Sequence, residues 1–168
     1  QKHNLPYEPP VRDYMVVQEM PYGLQGQVDF GEYNMRASDG RRVKVYFFTM
    51  ILSRSRFKYV CFSSTPFTSH SPIMAHESAF KYMGGRPAEL VYDQDKVFIS
   101  NENSGELILT SGFKSYVRDR GFKVHMCRKA DPESKGKIEN AVKYVKQNFL
   151  YNRTFYDLET LNTDGLNW

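Results

Sequence analysis

Asp39-Gly40 sits between two stretches whose residues alternate polar and apolar, and no other feature restricts the fold as much. An Asp-Gly pair adopts the left-handed backbone of a tight hairpin at little cost, so the flanking segments are expected to run antiparallel, side by side. Upstream, Gln27 to Met35 reads Gln-Val-Asp-Phe-Gly-Glu-Tyr-Asn-Met. In a strand, Val28, Phe30 and Glu32 point one way, while Asp29, Gly31 and Tyr33 point the other. Asp has poor strand propensity and is costly to bury, so Asp29 needs a reason to be there. Downstream, Val43 to Leu52 begins alternating and ends continuously apolar, as a strand does on entering a core. Ser53-Arg54-Ser55-Arg56 makes a second turn and Phe57 to Ser63 a third strand, which completes an antiparallel meander.

From Ser71 the period changes. Ser71 reads as an N-cap with Pro72 at the first helical position, and Gly84-Gly85 stops the helix. Ala75, Ala79, Tyr82 and Met83 form its expected buried stripe. Ala88 to Lys96 is a short strand that ends in acids, Asp93 and Asp95. A strand reached through a helical crossover should lie parallel to a neighbour, and ligand chemistry in such sheets gathers at the carboxyl ends of strands. Leu109, Phe113, Tyr116 and Val117 mark a second short helix closed by Gly121, and Phe122 to Cys127 a fifth strand.

Pro132 to Phe149 holds the last helix. Ile138, Ala141, Val142, Val145 and Phe149 make one apolar stripe. Glu139, Lys143 and Lys146 make a second stripe beside it, one carboxylate with two cations. Ser134-Lys135-Gly136-Lys137 adds two lysines in the turn before. The expected class is therefore α/β: a five-stranded mixed sheet, an antiparallel meander of three plus parallel strands, flanked by helices.

The chain has 168 residues, 40% of them hydrophobic, enough for one domain with a core. No apolar run approaches the roughly 20 residues that a membrane span needs. Cys61 and Cys127 belong to no CxxC, and the four histidines lack zinc-ligand spacing to them, so two reduced thiols are expected. The net charge of +4 is uneven: Ser111 to Phe155 carries 11 Lys and Arg against 4 Asp and Glu. A basic segment on a mildly acidic body suggests an anionic partner on one side. Residues 1–26, with Pro6, Pro9, Pro10 and Pro21, read as an extended arm; 27–153 as the core; 154–168, polar and without period, as the start of a cut C-terminal segment. Without an initiator Met, the chain reads as a piece of something longer.

Acids in the first strand, at the end of the fourth and on the last helix can converge on divalent ions. Two ions roughly 3.5 to 4 Å apart clamp the attacking and leaving oxygens of a phosphodiester displacement, and hard ions such as Mg2+ prefer carboxylate oxygens. The residues in question are Gln27-Val28-Asp29-Phe30-Gly31-Glu32, Val91-Tyr92-Asp93-Gln94-Asp95-Lys96, and Pro132-Glu133-Ser134-Lys135-Gly136-Lys137-Ile138-Glu139 running on to Phe149. Over roughly Gly26 to Arg153 they resemble the integrase-type catalytic core of DDE transposases, of ribonuclease H-like fold, and within it the IstA-type transposases of bacterial insertion sequences. The resemblance implies that Asp29, Asp93 and Glu139 are the catalytic, metal-binding triad, with Asp95 the alternative second acid. It implies that Mg2+ or Mn2+, as two ions, serves cleavage at transposon ends and strand transfer into target DNA. Lys143 and Lys146, with Lys135 and Lys137 from the turn, are then DNA contacts. It further implies flanking DNA-binding domains, a homo-oligomeric transposase complex, an AAA+ ATPase helper and a bacterial cytoplasmic setting at the nucleoid, with no membrane partner. Two other readings share these residues: a metal-dependent nuclease of the same fold, and a non-catalytic DNA-binding or assembly module. The 46 positions between Asp93 and Glu139 exceed the spacing in retroviral integrases, which implies an insertion between them. Glu32, Asp131 and Glu133 read as surface or supporting acids.

Overall fold

The computed structural model describes residues 20–68, 70–93, 111–127 and 141–168. At its centre β1 (Gln25–Ala37) and β2 (Arg42–Leu52) form the expected hairpin. Gly40 takes φ 84°, and the Ala37 N–H donates to the Arg41 carbonyl at 2.8 Å to close the turn. The β1–β2 register runs unbroken from Gly26↔Leu52 to Arg36↔Arg42. Even-numbered residues of both strands therefore share one face and odd-numbered residues the other.

β3 (Lys58–Ser63) pairs antiparallel with β2. α1 (Ser71–Met83) crosses to β4 (Glu89–Asp93), which pairs parallel with the first residues of β1. α2 (Ser111–Arg120) crosses to β5 (Lys123–Cys127), parallel to β4, giving the order β3-β2-β1-β4-β5. The meander, both parallel strands and the crossover helices are as the sequence predicts. A sixth strand, β6 (Thr154–Phe155), adds to the far end of β1.

The even face is apolar and aromatic. Val28, Phe48, Met50, Leu90 and Tyr92 pack against Ala75, Ala79 and Phe80 of α1 and Phe113 of α2. His76 lies fully buried among them. Its Nδ1–H donates to the Pro72 carbonyl at 2.6 Å, which fixes the tautomer, and its Nε2 accepts from the Tyr92 hydroxyl at 2.9 Å. Burial pushes its pKa down to about 4. The α1 stripe is thus rotated from the expected one: His76 and Phe80 are inside, while Tyr82 is exposed and stacks on Phe57 with ring centroids 5.4 Å apart. The N-cap also differs. His70 occupies it, and the Ser71 hydroxyl instead donates to the Thr68 carbonyl.

The odd face carries Met35, Val45 and Phe47, joined by Val60 and Phe62 of β3. It is covered by α3 (residues 141–150) and α4 (Leu158–Asn167). Val142, Val145 and Phe149 are buried as the apolar stripe predicts, and so is Leu150. Val145–Leu150 is wound as a π-helix, whose i→i+5 closure brings Leu150 under Val145. In the tail, where the sequence shows no period, Asp157 caps α4 by accepting the Thr160 N–H at 2.7 Å. Gly165 lets the helix sit close over β3: a Cβ there would lie 3.0 Å from the Phe62 ring. Asn162 bonds the Phe62 backbone twice, accepting from its N–H at 2.8 Å and donating to its carbonyl at 3.1 Å, so it occupies the open edge of β3. Cys61 is a free thiol, pushed up to about 11 chiefly by burial. The arm residues 1–19 and Cys127's side chain lie outside the described residues.

Candidate active site

Asp29 is the fifth residue of β1 and stands on the odd face, the one that α3 covers. It is 2% exposed, and its Oδ1 accepts the Phe30 N–H at 2.7 Å. Its partner across β2 is Thr49, also buried, whose hydroxyl donates to the Tyr59 carbonyl at 3.3 Å. On the other side the register with β4 runs from Gln25↔Glu89 to Val28↔Tyr92. One step further along both strands come Asp29 and Asp93. The two acids therefore stand at one level on adjacent parallel strands, Asp29 within β1 and Asp93 where β4 ends. Asp93 pairs with Cys127 on β5.

Gly31, the next residue on the face of Asp29, has a structural reason. The Phe47 ring lies across it and fills the space a side chain would take. Beyond Asp29 a cleft of about 400 Å³ opens beside β1, lined by Gly31, Glu32, Tyr46 and Phe67 and by Val142 and Lys146 of α3. Lys146 thus borders this cleft, while Lys143 is exposed to solvent. Glu32 is a surface acid, as expected, paired with Lys44 at 2.9 Å. Glu139, Lys135, Lys137, Asp95, Asp131 and Glu133 lie outside the described residues. Among the described residues no three His, Cys, Asp or Glu side chains come close enough to hold a metal ion.

Gln27 is a residue that pattern reading passes over. It is 4% exposed, on the same face as Asp29, and its Oε1 has no hydrogen-bond partner among the described residues. Its one sequence signal is a glutamine two positions before an acid in a strand otherwise expected to be buried.

The sequence profile of the Integrase core domain matches residues 23–132. A transposase for an IS21-like insertion sequence element from Bacteroides fragilis is 50% identical over 157 residues, 94% of this chain and 30% of that protein. The transposase for insertion sequence element IS21 from Pseudomonas aeruginosa is 32% identical over 136 residues, 79% of this chain and 34% of that protein. The chain spans about a third of the length of these relatives. Among solved structures, the HTLV-2 integrase catalytic core domain in complex with magnesium has a TM-score of 0.56 at 14% identity, covering 86% of this chain and 83% of that one. A chain of the simian T-cell lymphotropic virus intasome in complex with PP2A regulatory subunit B56 gamma has a TM-score of 0.59 at 15% identity, covering 97% of this chain and 53% of that one. The fold is the ribonuclease H-like fold of retroviral integrase cores.

Proposed function

Because this chain belongs to the Integrase core domain family, we propose that it is the catalytic core of an insertion-sequence transposase, cutting DNA at transposon ends and joining them to target DNA. The observation that carries this reading is the register: it brings a buried acid, Asp29, level with Asp93 on the adjacent parallel strand. Carboxylates that share a site favour a cation between them. The residues fit a hard divalent ion, since both acids are oxygen donors and the buried Gln27 Oε1 beside them lacks a partner. Asp29, Asp93 and Glu139 would hold Mg2+ or Mn2+, as two ions. When bound, such ions supply Lewis-acid stabilisation of charge on the phosphoryl oxygens and lower the pKa of water.

The chain's own part is positioning and charge. Asp29 is held by the Phe30 N–H and by its place between β2 and β4, so its carboxylate needs no reorganisation when DNA arrives. Lys146, at the cleft, contacts a DNA phosphate close to the scissile bond; Lys143, Lys135 and Lys137 contact phosphates further out. Binding of target DNA beside a cleaved end makes the joining step effectively intramolecular. End recognition belongs to domains flanking this core, and the working unit is a multimer of transposase subunits served by an AAA+ ATPase helper.

The test is Glu139→Gln in the full-length protein, given labelled transposon-end DNA, either uncut or with a free 3′-hydroxyl, and a target duplex. Cleavage and joined product are lost while DNA binding persists. Joining that survives in this variant removes Glu139 from the triad. Hydrolysis without any joined product in the wild type makes the protein a nuclease instead.

A further inference from the structure

Gln27 is flanked at its own level by Ile51 on β2 and Val91 on β4, neither of which offers a side-chain donor. Glutamine is seldom buried, and an amide oxygen held out of water without a donor costs roughly 1–3 kcal/mol. A methionine or leucine would fill the same space without that cost. The other polar groups buried in this part of the sheet have partners: Asp29 Oδ1 takes the Phe30 N–H and the Thr49 hydroxyl reaches the Tyr59 carbonyl. Gln27 Oε1 is left with an open acceptor site two residues from Asp29, about 6.7 Å along the strand.

We infer that Gln27 is a positioning residue for the divalent ion at Asp29, its Oε1 accepting a hydrogen bond from a water molecule on that ion. The inference rests on the reading that Asp29 holds a metal. The open site calls for a donor, which excludes a DNA phosphate, because phosphate oxygens only accept. It also calls for a donor that reaches a nearly closed position beside a carboxylate. Mg2+ retains several of its waters when bound by one or two carboxylates, and each such water is a polarised donor. A metal-bound water lies about 2.1 Å from its ion and hydrogen-bonds about 2.8 Å further out, which bridges neighbouring odd positions of one strand. A neutral amide suits the role, since it orients the water without adding a charge that would bind the ion directly and displace that water. Groups of this kind typically change metal affinity 10- to 100-fold.

The test compares wild type, Gln27→Met, Gln27→Glu and Asp29→Asn in the full-length protein, with and without a DNA duplex. Free Mn2+ is counted by electron paramagnetic resonance, and thermal stability is measured without metal. In Gln27→Met, Mn2+ affinity falls 10- to 100-fold while the metal-free Tm stays level or rises, because an unsatisfied polar atom has been removed. Gln27→Glu keeps an acceptor oxygen and binds Mn2+ more tightly than Gln27→Met does. If Mn2+ affinity in Gln27→Met equals that of wild type, while Asp29→Asn abolishes binding, the role of Gln27 is overturned and the metal site stands. If Gln27→Met lowers the metal-free Tm as it weakens Mn2+, Gln27 is a structural residue. Absence of any Asp29-dependent Mn2+ binding in wild type, with DNA present, overturns the metal reading and this inference together.

Discussion

The two faces of the sheet bury polar groups in opposite ways. On the even face the buried His76 is bonded at both ring nitrogens, one of them to the buried Tyr92 hydroxyl, and wrapped by the rings of Phe48 and Phe113. Among the described residues of this face no buried side-chain polar atom lacks a partner. On the odd face Gln27, Asp29 and Thr49 are buried within three residue levels of one another, and the Gln27 oxygen is open. The difference teaches where each face puts its free energy. The buried His76 of the even face is satisfied by the folded chain alone, while the odd face keeps one buried acceptor, the Gln27 oxygen, open among the described residues. The helix cover differs as well: α1 and α2 on the even face are ordinary α-helices, whereas on the odd face α4 is joined by α3, which carries a π-helical turn.

If that division holds, substitutions of the buried polar residues on the odd face change activity with little change in stability, and those on the even face do the reverse. The largest effect is expected for Asp29→Asn. Joining by the full-length protein falls about 1,000-fold, equivalent to about 4 kcal/mol of lost transition-state stabilisation, while the metal-free Tm does not fall. A Tm that collapses with activity would make Asp29 a structural acid. Next is the pH dependence of His76. Its pKa is 6.5 unfolded and about 4 folded, so the unfolded chain takes up the proton first. The contribution to stability is complete above about pH 6.5 and is lost as pH falls toward 4, amounting to about 3 kcal/mol. Urea unfolding of His76→Gln at pH 7 and pH 4 should show the acid-side loss reduced by that amount. A parallel drop in joining rate per folded molecule would breach the division between the faces.

Gly31→Ala tests the odd face from its structural side. The new methyl collides with the Phe47 ring, at a cost of about 2 kcal/mol, or roughly 4–8 °C in a thermal melt. An unchanged melt would mean that Phe47 moves aside freely. The smallest effect is expected for Asn162→Ala, which unpairs the Phe62 backbone at a cost of about 1 kcal/mol. Amide hydrogen exchange at Phe62 should accelerate while that of Phe48, in the sheet interior, stays slow.

Much of this was legible because it is local. Asp39-Gly40 and the alternation around it gave the hairpin, and parity alone placed Asp29 opposite Val28 and Phe30. The level at which Asp29 meets Asp93 was not legible, since it depends on how far α1 carries the chain before β4 begins. The sequence does not separate Phe80 from Tyr82 in α1, since both are apolar enough to be core; Phe57, which stacks on Tyr82 from the turn before β3, decides between them. Leu150 lies off the α-helical pattern because the wider π-helical turn, with its i→i+5 hydrogen bonds, brings it under Val145. α4 buries only Leu161 and Gly165, too narrow a stripe to register as a period. Gln27 has little signature in the sequence because a single polar residue in a strand carries no pattern.

The pairing of Asn162 with Phe62 also sets a clock. The two residues are 100 positions apart, and synthesis proceeds at about 5–20 residues per second. For roughly 5 to 20 s after β3 leaves the ribosome, its outer edge has no Asn162 to close it. A nascent chain is thus most open to strand-to-strand association with its neighbours during that interval, and a chain terminated before α4 would remain so.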